Sequence, residues 1–144
     1  MFGRKPRTIA RLLLVEDEPL VAFDSEHLLT EKGYEIVATV DRVDDAVRLI
    51  GDGQAIDLVL ADVTLADGSG LDVARAARER DIPVLFVTGA CPTEAESLAI
   101  GCLAKPYQQR ALLAAIEAVE KAMEKKPPRR LPAGLRLFER QPDA

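Results

Sequence analysis

Between Asp57 and Gly70 the chain reads Asp-Leu-Val-Leu-Ala-Asp-Val-Thr-Leu-Ala-Asp-Gly-Ser-Gly, and this stretch constrains the fold more than any other. Leu58, Val59, Leu60 and Ala61 form a short apolar run rich in strand formers. Such a run, followed by Gly68 and Gly70 and then by helical spacing, suits a strand buried on both faces of a parallel sheet. Asp62 closes the run at its C-terminal end, where open α/β sheets place their ligands. Taken alone, Asp62 reads first as a loop-opening Asp; three other strand ends change that reading.

The same unit recurs along the chain. Residues 9–15 are mostly apolar and predict a first strand, ending in Glu16-Asp17-Glu18-Pro19. Leu20, Val21, Phe23, Leu28 and Leu29 then follow helical spacing over 19–32, with Pro19 in the first turn and Gly33 as the stop. Residues 34–40 predict a second strand, and 41–50 a helix with Val43, Ala46, Val47 and Ile50 on one face. After the third strand, 71–80 predicts a helix with Leu71, Ala74 and Ala77 inward. Residues 83–87 predict a fourth strand ending in Thr88-Gly89. Thr93 and Glu96 have capping-box spacing at the head of a helix over 93–100, which Gly101 ends. A fifth strand over 102–104, too short to detect by itself, leads to Lys105-Pro106. The last helix, 109–125, buries Leu112, Leu113, Ile116, Val119 and Met123. Five strand–helix units imply an α/β fold: a parallel sheet with helices on both faces, joined by right-handed crossovers.

Composition sets the limits. At 144 residues, 48% apolar and 30% charged, the chain supports one globular domain with its own core. No apolar stretch reaches the roughly 18–20 residues that span a bilayer, and the basic N-terminus leads into acids without a signal-peptide pattern. The net charge of −5 is uneven. Over 126–144, Lys126, Arg129, Arg130, Arg136 and Arg140 outnumber Glu139 and Asp143, leaving an acidic body. That body argues against nucleic-acid binding by the main domain. Pro127, Pro128, Pro132, Pro142 and Gly134 make 126–144 a basic, Pro-rich tail, expected to be disordered, with Leu135, Leu137 and Phe138 as incidental apolar residues. Cys91 and Cys102 make neither a disulfide framework nor a metal cluster and read as small apolar side chains of a cytoplasmic protein. A redox role would need their proximity to be measured.

A parallel sheet brings the polar strand ends to one edge: Glu16 and Asp17, Asp62, Thr88, and Lys105. Carboxylates gathered there repel one another and call for a cation, and an oxygen-only set suits Mg²⁺ together with a phosphate oxygen. A hydroxyl and an ammonium nearby would bind the other phosphoryl oxygens. Asp62 can then serve as nucleophile, giving an aspartyl-phosphate.

With these residues in place, the chain resembles a response-regulator receiver domain, the phosphoacceptor half of two-component signalling, over about residues 9 to 125. The resemblance rests on Leu-Leu-Val-Glu-Asp-Glu-Pro, on Asp62 with Gly70 eight residues on, on Thr88-Gly89 and on Lys105-Pro106. It implies a flavodoxin-like (βα)5 fold with a five-stranded parallel sheet in the order 2-1-3-4-5. It implies Asp62 as the phosphorylation site, Glu16, Asp17, Asp62 and the Thr64 backbone carbonyl at the Mg²⁺, Thr88 as switch hydroxyl and Lys105 bound to phosphate. A cis Lys105-Pro106 bond is part of the same expectation. The implied partner is a sensor histidine kinase or histidine phosphotransfer protein. Dimerisation and the downstream target stay open. Self-dephosphorylation would be slow, so the protein is not expected to be an enzyme in the ordinary sense.

Two positions depart from the family pattern. Ala66 stands where many receivers carry Pro, and Cys102 occupies the place of the aromatic switch residue. Pro83-Val-Leu-Phe-Val-Thr-Gly89 is similar to the motif of the FAT GUY receivers, which typically lack that aromatic. Elsewhere, His27, Asp67, Asp57 and Glu18 read as surface, turn, structural and helix-start residues. A stand-alone receiver over 9–125, with an extension over 1–8, is the first expectation. A phosphorylation-independent interaction module is the alternative, against which the full set Glu16, Asp17, Asp62, Thr88 and Lys105 argues. A haloacid-dehalogenase-type hydrolase is disfavoured by Thr64 at the second position after Asp62 and by the lack of room for a cap domain.

Overall fold

The structure, a computed structural model, describes residues 8–126 and 130–138. Strands β1 (Arg11–Val15), β2 (Glu35–Val40), β3 (Leu58–Ala61), β6 (Val84–Thr88) and β7 (Gly101–Ala104) pair in parallel, with the small hairpin β4 (Thr64–Leu65) and β5 (Gly68–Ser69) after β3. The helices are α1 (Pro19–Glu31), α2 (Val43–Gly51), α3 (Gly70–Glu79), α4 (Ala95–Leu98) and α5 (Gln109–Met123). Sheet order is β2-β1-β3-β6-β7, which is the expected 2-1-3-4-5 once the hairpin is set aside. A sixth strand, β8 (Leu135–Leu137), continues the sheet antiparallel to β7.

Every residue of β3 and β6 is buried, as their unbroken apolar runs require of strands covered on both faces. Alternation along β1 divides the core in two. Leu12 and Leu14 join Leu28, Leu29, Leu112, Ile116 and Val119 under α1 and α5. Leu13 and Val15 join Val43, Ile50, Val73 and Ala77 under α2 and α3. At the start of β1, Asp57 is structural as expected: its Oδ2 accepts the backbone N–H of Ala10 and Arg11 at 2.9 and 2.8 Å.

Several expectations need correction. On α1 only Leu28 and Leu29 are buried, while Leu20 and Phe23 are 79% and 69% exposed; these two lie off the stripe that meets the sheet. Val47 on α2 is likewise exposed. Asp67 is not a solvated turn residue. It sits in the two-residue turn of the hairpin, and its carboxylate accepts the N–H groups of Val43 and Asp44 at 2.6 and 3.2 Å. It therefore satisfies the first turn of α2, whose own flanking residue Arg42 gives no side-chain cap.

The far flank differs most. The helix expected over 93–100 is a single turn, Ala95–Leu98, with no side-chain cap. Glu96 does not complete a capping box with Thr93; it pairs with Arg136 of β8 at 3.2 Å. Ala99 is already extended as the chain descends to β7. Within the described part of the tail, Leu135–Leu137 forms β8, so the sheet has six strands, not five. Leu135 is buried, and the Phe138 N–H bonds Ile100 O at 2.9 Å. Gly101 permits this approach, because a Cβ there would stand 2.6 Å from the Arg136 carbonyl oxygen. The rest of the expected disorder, and the extension over 1–7, lie outside the described residues. Cys91 and Cys102, expected to be inert apolar fillers, are joined as a disulfide.

Candidate functional site

The parallel ladder itself assembles the site. Three of the four parallel strand pairs continue one hydrogen bond past their C-terminal ends: Glu16 N–H to Val40 O at 2.9 Å, Asp62 N–H to Val15 O at 3.0 Å, Lys105 N–H to Thr88 O at 2.9 Å. Residues that lie dozens of positions apart are thereby set side by side at one sheet edge. Glu16, Asp17 and Asp62 offer carboxylate oxygens all within 4.8 Å of one another. Among the described residues, Asp62 and Thr88 are the buried polar ones, at 9% and 6% exposure.

Lys105 lies among these acids. Its Nζ donates to Glu16 Oε1 at 2.7 Å and to Asp62 Oδ2 at 2.9 Å, with Glu18 Oε1 farther out at 3.5 Å. Burial works against the ammonium, but the hydrogen bonds and charges of Glu16 and Asp62 outweigh it, so its pKa is held above the ordinary lysine value. The contact with Glu18, from the exposed start of α1, is the one that the spacing did not single out. Its signal was its place directly after the acidic pair.

The loop after Asp62 is built closely around it. The Thr64 N–H reaches Asp62 Oδ1 at 3.3 Å. Gly70 starts α3 with its N–H on Val63 O at 2.6 Å, and a Cβ at that position would collide with the Asp62 carbonyl. This gives Gly70, eight residues after Asp62, a steric reason. The Thr88 hydroxyl donates to Ala90 O at 3.2 Å and is thus turned to its own loop. The Lys105-Pro106 bond is cis, as expected. His27 lies on the surface of α1, stacked at 6.3 Å on Phe23 and 3.8 Å from Glu31.

Glu16, Asp17, Asp62 and the more exposed Glu18 against one ammonium leave the pocket negative, and the ligand atoms they offer are all oxygen. That chemistry fits a hard divalent cation rather than a soft one.

The model of the response regulator receiver domain matches residues 12–117. This chain belongs to that family. The receiver is 37% identical over 113 residues to the transcriptional regulatory protein DltR of Streptococcus agalactiae, covering 74% of this chain and 50% of that protein. It is 37% identical over 79 residues to the phyllosphere-induced regulator PhyR of Methylorubrum extorquens, covering 54% of this chain and 30% of that one. The chain thus spans half or less of the length of these two curated relatives. Among solved structures, a response regulator receiver protein from Sinorhizobium medicae superposes with a TM-score of 0.70 at 29% identity, covering 79% of this chain and 96% of that one. The HemR receiver domain from Leptospira biflexa gives 0.69 at 29% identity, covering 77% and 94%. The receiver fold and its place in a two-component response regulator follow. Among the described residues no helix is long and apolar enough to cross a membrane.

Proposed function

We propose that this receiver accepts a phosphoryl group on Asp62 from a histidine kinase or histidine phosphotransfer protein in the cytoplasm. One observation carries the reading: a nearly buried aspartate held 2.9 Å from a lysine ammonium, beside two further acids at a sheet edge. A structural ion pair needs one partner, and this one has three carboxylates converging on one cation.

An Asp62 Oδ attacks phosphorus while the phosphorus–nitrogen bond of the donor phosphohistidine breaks, and the freed imidazole nitrogen keeps the bonding pair. Asp62 is already fixed by the N–H of Thr64 and by Lys105, so little reorganisation precedes attack. Lys105 moves its hydrogen bond from Asp62 Oδ2 to a phosphoryl oxygen and offsets the charge there. Thr88 exchanges its bond to Ala90 O for another phosphoryl oxygen, which draws in the loop that follows it. Glu16, Asp17, Asp62 and the Thr64 carbonyl would hold Mg²⁺, which supplies charge neutralisation for phosphoryl oxygens during in-line transfer. Slow attack of water on the same aspartyl-phosphate resets the domain, with no other catalytic activity. Cys102 in the aromatic's place and the 83–89 strand favour the FAT GUY subgroup.

The test is intact mass after incubation with Mg²⁺ and acetyl phosphate. The expected result is one phosphoryl adduct that needs Mg²⁺ and is lost in Asp62→Asn. If neither acetyl phosphate nor a phosphorylated histidine phosphotransfer protein labels the chain, a phosphorylation-independent interaction module takes its place.

A further inference from the structure

Cys91 and Cys102 are the chain's two cysteines, and their Cα atoms stand 6.5 Å apart in the disulfide. Cys91 lies three residues past Thr88 in the loop that leaves β6, half-buried. Cys102 is on β7, 3% exposed, opposite Phe86 on one side and Arg136 of β8 on the other. The ring that the bond closes contains one element, α4. One side of that ring is therefore the loop whose Ala90 carbonyl holds the Thr88 hydroxyl. The other is the strand that leads to Lys105.

We propose that Cys91 and Cys102 are a thiol–disulfide exchange site that takes a low-molecular-weight disulfide of the glutathione class, and that the bond limits the movement of the loop after Thr88. The fold itself does not call for a permanent crosslink: two apolar clusters already pack both faces of the sheet. In the reducing compartment proposed above, a lone disulfide is of the transient, redox-sensing kind. Access is one-sided. The Cys91 thiolate attacks a sulfur of the oxidant RSSR, releasing RS⁻ and leaving a Cys91–S–S–R mixed disulfide. The buried Cys102 thiolate then attacks the Cys91 sulfur and expels the second RS⁻. Two electrons pass from the pair to RSSR, and the two thiol protons end on the two RSH released. Excess thiol reverses both steps.

Closing a ring this short removes conformations from the segment it contains. With α4 a single uncapped turn, the open form lets Ala90 follow Thr88, and the closed form holds Ala90 to β7. The exchange stands by itself; its coupling to Thr88 rests on the phosphoacceptor reading.

The whole chain is equilibrated without oxygen in graded mixtures of reduced and oxidised glutathione, quenched with an alkylating reagent in denaturant so that the buried Cys102 is also reached, and weighed intact. The expected result is a reversible passage from two alkyl groups to none as the oxidised fraction rises. Two alkyl groups throughout, or none even in excess thiol, overturns the exchange site. Cys91→Ser, at the more exposed position, is expected to keep the fold and to lose the unalkylated species without added mass; retention of that species overturns the pairing. Backbone NMR of Gly89 and Ala90 with beryllofluoride and Mg²⁺ then compares the two forms. Smaller shifts in the oxidised form are expected, and equal shifts overturn the coupling alone. Absence of shifts in both forms, with no adduct at Asp62, fails the phosphoacceptor reading and the coupling together, while the alkylation result still decides the exchange site.

Discussion

The C-terminal edge of the sheet and the flank beyond β7 are built on different principles. At the C-terminal edge, Asp62, Thr88 and Lys105 are set by backbone hydrogen bonds that continue the sheet, so the geometry is fixed before any ligand arrives. On the outer flank, α4 is one turn and β8 returns from the tail; a three-residue ladder between β8 and β7, the buried Leu135, a disulfide and one ion pair bind the pieces together. The edge is over-determined, and the flank is held by a few separable contacts. A receiver of this construction keeps its chemistry in the rigid part and leaves the part that can change shape to the loosely held one.

The largest effect expected from testing this comparison is at Lys105. Lys105→Gln removes the cation that three carboxylates share. Labelling of Asp62 is expected to slow about 10²–10³-fold, the range for loss of one charge-stabilising donor, as read by the time course of the mass adduct. Stability adds an independent check. A lysine pKa raised in the folded state contributes stability that is fully present below the unfolded value of about 10.4 and is lost as pH rises through the folded one. The wild-type advantage over Lys105→Gln in urea denaturation is therefore expected to hold at neutral pH and to shrink above about pH 10.4. A gap constant across that range would show that Lys105 acts by packing alone.

On the flank, ending the chain at residue 126 removes β8. Burying Leu135 contributes at most about 1.5–3 kcal/mol, and ordering the tail backbone opposes it, so a net loss below that range is expected. Gly101→Ala is expected to cost a similar amount in the whole chain, because its Cβ meets the Arg136 carbonyl. In the shortened chain it should cost little, since that oxygen is gone. Additive losses would mean that Gly101 serves β7 itself and that β8 is incidental. Acetyl phosphate labelling of the shortened chain should match that of the whole one.

Legibility in the sequence follows the same division. Leu58 to Ala61 announces a buried strand because parallel strands are apolar on both faces, and the carboxylate after it is placed by topology alone. The edge residues were thus readable from local runs plus the rule that parallel strands share one end. The flank was not. Leu135 and Leu137 have no periodicity that three residues could show, and they become a strand only because Gly101 leaves room for the Arg136 backbone. Thr93 and Glu96 have the spacing of a capping box, yet Arg136, 40 residues away, takes the carboxylate. The cysteine pair likewise depends on a register between β6 and β7 that no short motif encodes.

Asp67 shows the same long-range dependence in miniature and carries the smallest expected effect. Its local sequence, Leu-Ala-Asp-Gly, is that of an ordinary turn. Its work is done 24 residues away, where it accepts the Val43 N–H at the head of α2. That backbone hydrogen bond is the main cause holding its carboxyl below the usual aspartate pKa; burial opposes it, and the Asp44 N–H and Arg42 assist. A carboxyl whose pKa is lowered by folding contributes stability above the unfolded value of about 3.9 and loses it as pH falls through the folded one. Asp67→Asn keeps an acceptor oxygen but not the charge, so its deficit should be modest and steady near neutral pH. The deficit should close as the wild-type carboxyl is protonated below about pH 3.9. Urea titrations at stepped pH measure it, and a deficit that persisted in acid would assign Asp67 to the hairpin turn rather than to α2.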